Sequence, residues 1–268
     1  SITGTSGVLT GSSYSVTNSS GTTTISAKLA GSGGLTKSGA GTLTLSGANT
    51  YDGVTAVDAG TVIVSNNSGL GSTTGGTTVA SGAVLDLNGV TVGAENLTLA
   101  GGTLKDVTSS LAGNIALTAD STFTATNAGD TLTLSGVISG NGYGITKSGA
   151  GTVVLSNANT YTGATNVDAG TLTVSGTLSD STAVTVASGA TYNVNASDTV
   201  GSIAGAGTIT TTAASGTVTL SAGNDNTSTS FTGVLQNGSN ALLALTKVGS
   251  GTLTLSGANS YTGGTTVS

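Results

Sequence analysis

Short runs in which every second residue is apolar recur along the chain. In Thr42-Leu43-Thr44-Leu45-Ser46 a period of two puts Leu43 and Leu45 on one side of an extended strand and Thr42, Thr44 and Ser46 on the other. Thr61-Val62-Ile63-Val64-Ser65 and Thr171-Leu172-Thr173-Val174-Ser175 repeat the scheme. Thr and Val are β-branched and suit a pleated surface. The runs are bounded by Ser-Gly, Gly-Gly, Asn-Gly or Ala-Gly, which are turn signals. No stretch keeps a helical period over ten residues, and the good helix formers Glu, Lys, Arg and Gln are nearly absent. The pattern predicts an all-β chain of short strands.

A longer period lies over the short one. LTKSGAGTLTLSGANTYDGVTAVD (Leu35 to Asp58) returns as ITKSGAGTVVLSNANTYTGATNVD (Ile145 to Asp168) and as LTKVGSGTLTLSGANSYTGGTTVS (Leu245 to Ser268), with 13 of the 24 columns identical in all three. The starts are 110 and 100 residues apart. Weaker echoes fall between the copies: VASGAVLDLNG (Val79 to Gly89) matches VASGATYNVNA (Val186 to Ala196). Extended by the following AGT strand, the modules occupy 35–65, 145–175 and 245–268, and nothing marks a boundary between separate domains over 1–268.

Short, evenly spaced strands suit a sandwich, a barrel or a solenoid. Near-identical modules favour the solenoid, in which each coil meets only the coils above and below it, so that like residues can lie over like residues. At roughly 20 residues per coil the chain makes about 13 coils, and strands about 4.8 Å apart give a rod on the order of 60 Å long. The fold class expected is a right-handed parallel β-helix with one elongated core, the hand following from the chirality of parallel crossovers.

Composition narrows the function. Glycine fills 45 of 268 positions, more than twice the usual roughly 7%. With 36% hydrophobic residues and a net charge of −6, the chain has more to bury and less charge than a disordered linker. Its five cations are all lysines and are scattered, which excludes the basic stripe that nucleic acid requires. No apolar run approaches a membrane span. With no cysteine and no histidine, disulfides, thiol redox chemistry, zinc sites and histidine-based triads are excluded. No cofactor is implied.

Three recurring sets of residues are candidates for a site. Asn49, Asn159 and Asn259 each precede a tyrosine by two residues (Tyr51, Tyr161, Tyr261), and a glycine follows two further on (Gly53, Gly163, Gly263). The set reads either as a carbohydrate contact or, preferably, as a turn in which Asn bonds its own backbone, Gly takes positive φ and Tyr covers the end of a thin core. Lys37, Lys147 and Lys247 read as exposed turn lysines that discourage lateral strand pairing, not as catalytic amines, which need burial or a charged neighbour. The eleven carboxylates are dispersed and form no pair suited to glycoside hydrolysis. No enzyme activity is expected.

The long module, with its LTK, GTLTLSGANTYTGG and AGTL-x-VS portions, resembles the autotransporter-associated β-strand repeat of the passenger regions of type V secreted proteins of Gram-negative bacteria. The resemblance implies export through the outer membrane by a C-terminal β-barrel translocator, an extracellular or cell-surface location, and a stalk or adhesin role toward a host, surface or glycan ligand. Two other readings stand beside the stalk. One is a fibre module stacking end to end through open strand edges. The other is an ice- or glycan-binding face on which Thr42/Thr44, Thr131/Thr133, Thr171/Thr173 and Thr252/Thr254 line up.

Overall fold

The computed structural model describes residues 7–268. Among them every regular element is a β-strand, and every pairing between named strands is parallel. The chain winds as a β-solenoid of about 13 turns with three faces. One coil illustrates the path. Leu35–Lys37 lies on the first face, Thr42–Leu45 on the second and Thr50–Tyr51 on the third, and Thr55–Val57 then returns to the first, paired with Leu35–Lys37.

The second face is one uninterrupted sheet of 12 strands, from Thr22–Ile25 to Leu253–Leu255. The third face carries sheets of three and eight strands. Between them the backbone bridges the gap: Asn49 N–H donates to the Ser68 carbonyl, and Ser72 N–H to the Tyr51 carbonyl. Coil length varies with the corner loops. Thr191 pairs with Thr208, 17 residues on, whereas Gly205 pairs with Phe231, 26 residues on.

Period-two alternation is seen as expected: Leu43, Leu45, Val62 and Val64 are fully buried, while Thr42, Thr44 and Thr61 face outward and are half-buried. The inward residues stack into columns. Leu43, Val62, Leu85, Leu104 and Phe123 are in register on five successive levels of the second face. Burying each such side chain contributes roughly 1.5–3 kcal/mol. Because two or three per coil do not offset the ordering of about 20 residues, each coil depends on its neighbours and on the backbone ladder.

The three modules do not lie over one another. From Leu35 the chain returns to the first face at Thr55, Thr77, Leu97, Ile115 and Ile138, and then reaches the second module on the second face, at Ile145–Ser148. The third module begins again on the first face, within Leu242–Lys247. The spacing of the copies is five coils and one face, then four coils and two faces, because corner loops of unequal length make the unit a fractional number of turns. Like residues therefore recur at separated levels rather than level upon level.

Candidate functional site

The recurring lysines are not exposed turn residues, and that expectation is corrected. Lys37 and Lys147 are fully buried. Both project inward, as period-two alternation demands when Leu35 or Ile145, two residues earlier, faces the core. Lys37 stacks between Val16 and Val57, and Lys147 between Phe123 and Val167. The aliphatic stem occupies a place in an apolar column, and the ammonium reaches the corner of the coil. Lys147 Nζ donates to the carbonyls of Ser148 at 2.8 Å, Gly149 at 2.8 Å and Ala169 at 2.9 Å. Lys37 makes the matching bonds to Gly39 and Ala59, and Lys247 donates to Val248 and Gly249. Burial lowers the pKa of Lys37, and it brings that of Lys147 down to about 8. With the amine enclosed by carbonyls it is a strut between coils, not a nucleophile facing a ligand.

The asparagines are also buried or nearly so, and none has the left-handed backbone that a turn reading allows. Their amides fill gaps in the ladder. Asn49 Oδ1 accepts from Leu29 N–H one coil before it, at 2.9 Å, and Nδ2 donates to the Gly69 carbonyl one coil after it, at 2.7 Å. Asn159 does the same between Ile138 and Thr177, and Asn259 accepts from Leu235 N–H. Tyr51 and Tyr161 are fully buried, and their hydroxyls bond Thr55 Oγ1 at 2.5 Å and Thr165 Oγ1 at 2.7 Å. Tyr261 bonds Thr265 in the same way, at 2.6 Å.

Gly53, Gly163 and Gly263 have ordinary backbone angles, so the positive φ expected of them is not the reason they are glycine. Close approach of the neighbouring coil is. A Cβ on Gly163 would sit 2.2 Å from the carbonyl carbon of Tyr143 and 2.3 Å from Gly144 N, and one on Gly53 would sit 2.4 Å from Gly34 N.

The threonine array is also corrected. Thr42 and Thr44 lie on the second face, as does Thr254, whereas Thr131/Thr133 and Thr171/Thr173 lie on the third. The four pairs do not share a plane. Buried carboxylates serve local structure: Asp86 pairs with Lys105 at 2.6 Å, Asp106 Oδ2 accepts the N–H groups of Thr108 and Ser109, and Glu95 accepts from Thr77. Among the described residues no three metal-ligating side chains come together.

The residues singled out by repetition are thus brought into the interior or into the coil corners, and they contact their own chain. The passenger-associated-transport-repeat model matches residues 35–64, 145–174 and 245–268. An adhesin of Brucella suis biovar 1 (strain 1330), the BmaC autotransporter, is 36% identical over 222 residues, which cover 72% of this chain. The chain spans 6% of the length of that relative. No solved structure gives a significant match. Residues 35–64, 145–174 and 245–268 are three copies of the autotransporter passenger repeat, carried on the faces of a parallel β-solenoid.

Proposed function

We propose that this chain is a non-enzymatic spacer in the passenger of a secreted adhesin, held at the surface of a Gram-negative bacterium by a C-terminal outer-membrane β-barrel elsewhere in the full-length protein. The observation that carries the reading is the fate of the recurrent polar residues. Lysine, asparagine and tyrosine, which elsewhere furnish sites, here bond the backbone or side chains of their own and adjacent coils. A rod built so gives reach and resistance to unravelling. Similarity to part of an autotransporter adhesin supports the same role.

The test shortens the rod by whole coils. Residues 55–114 run from one first-face strand start to another, so their removal joins Val54 to Ile115 on the same face. In the full-length protein, displayed on cells, this deletion of three coils leaves surface display and protease resistance intact. It shortens the purified rod by about 14 Å, read by small-angle scattering. Loss of display, or turnover of a polysaccharide by this chain, would overturn the spacer reading.

A further inference from the structure

Among the described residues the ladder of the first face is interrupted once. Its seven-stranded sheet ends at Ile138–Ser139, and a four-stranded sheet resumes at Asp198–Val200. Two coils cross the gap without a strand, at 159–164 and 178–182. There the side chain of Asp198 replaces a backbone acceptor: its Oδ2 takes the N–H of Leu178 at 2.9 Å, and Oδ1 takes that of Thr199 at 2.9 Å.

The gap leaves a shallow recess of about 310 Å³ on the side of the rod, lined by Thr177, Asp180, Ser197, Asp198, Thr199, Thr219 and Ser221. That is five hydroxyls and two carboxylates, with no cation and no large apolar side chain. Thr199 and Ser221 are paired and point outward on adjacent coils, and Thr219 N–H donates to Ser197 Oγ at 3.0 Å across the same two coils. Among the described residues the Asp180 carboxylate has no hydrogen-bond partner; Asn224 Nδ2 donates instead to the main-chain carbonyl of Asp180, at 3.2 Å. Each Asp198 oxygen keeps a second lone pair.

We propose that this recess binds a short neutral glycan. Its volume is near the lower end of ligand pockets, roughly 300 Å³ and above. An apolar ligand finds nothing to pack against. An anion meets two carboxylates and no counter-charge. Sugar hydroxyls match the lining group for group: they donate to carboxylates in charge-assisted bonds and exchange donor and acceptor roles with Ser and Thr. Burial, reinforced by Asp180, pushes the Asp198 carboxyl up to about 6, so the recess is a stronger acceptor at neutral pH than in mild acid. The site goes beyond the spacer reading, which stands whether or not the recess is occupied.

The purified chain is passed over an array of neutral gluco-, galacto-, manno- and N-acetylhexosamine oligosaccharides, and those retained are titrated calorimetrically. At least one series binds. Asp180→Asn and Ser221→Ala, both outside the core, each weaken it tenfold or more without moving the melting temperature. Three results would overturn the site: no oligosaccharide retained, undiminished binding by both variants, or amide shifts at 177–181 and 197–199 that answer to calcium chloride and not to the sugar.

Discussion

The ammonium of Lys147 donates to the carbonyl of Ala169, 22 residues further along the chain and one coil on, at 2.9 Å. The same ammonium holds Ser148 and Gly149 of its own corner, so one side chain ties two successive turns together. Lys37 repeats the arrangement with Gly39 and Ala59. A charge in a thin apolar core is tolerable because carbonyl dipoles replace the water it loses.

Removing that strut is costly in proportion to what remains. Lys147→Ala leaves three carbonyls short of a donor and empties the space of the stem between Phe123 and Val167, a loss of about 2–4 kcal/mol. Lys147→Met keeps the stem and costs about 1–2 kcal/mol. Native-state hydrogen exchange at 145–148 and 165–167 measures both, because a solenoid opens locally before it unfolds as a whole. Equal effects for the two variants would show that the stem contributes nothing.

Two buried tyrosines give opposite outcomes on loss of a hydroxyl. Tyr161 Oη bonds Thr165, so Tyr161→Phe destabilises by about 1–2 kcal/mol. Tyr192 is equally buried, yet among the described residues its hydroxyl has no hydrogen-bond partner. Tyr192→Phe is therefore neutral or stabilising by up to about 1 kcal/mol. Urea unfolding of the pair, side by side, decides the matter, and a Tyr192→Phe loss as large as that of Tyr161→Phe would contradict it.

Close coil contact predicts an intolerance at Gly163. A methyl group there meets Tyr143 and Gly144 backbone well inside contact distance, and backbone cannot swing aside as a side chain can. Gly163→Ala is expected to separate the two coils locally and to cost about 2 kcal/mol or more. Faster amide exchange at Ile145–Ser148 is the readout; unchanged protection would refute the account.

Mild acid strengthens the rod through Asp198. Its folded pKa of about 6 lies above the ordinary 3.8, so between those values the folded chain holds a proton that the unfolded chain has released. Stability from this group rises as pH falls from about 7 toward 4, by roughly 2–3 kcal/mol in all. Asp198→Asn removes that rise while leaving the other carboxylates in place. The comparison of melting temperatures at pH 7.5 and pH 5 between parent and variant isolates it, and identical pH profiles would exclude the effect.

Local alternation was enough to foretell strands and inward leucines and valines, because period-two patterning is set by bonds between adjacent residues, and the recurrence of the long module was enough to foretell a solenoid. Alternation held even at Lys37, where Leu35-Thr36-Lys37 already pointed the lysine inward; composition, which places lysine on surfaces, led to the opposite reading. The role of Asn49 was not legible, because its partners Leu29 and Gly69 are each 20 residues away and become neighbours only by winding. Nor was the face on which each module lies, since that depends on the summed length of every corner between copies. Short-range chemistry is written residue by residue; azimuth and stacking belong to the closed path of the whole coil.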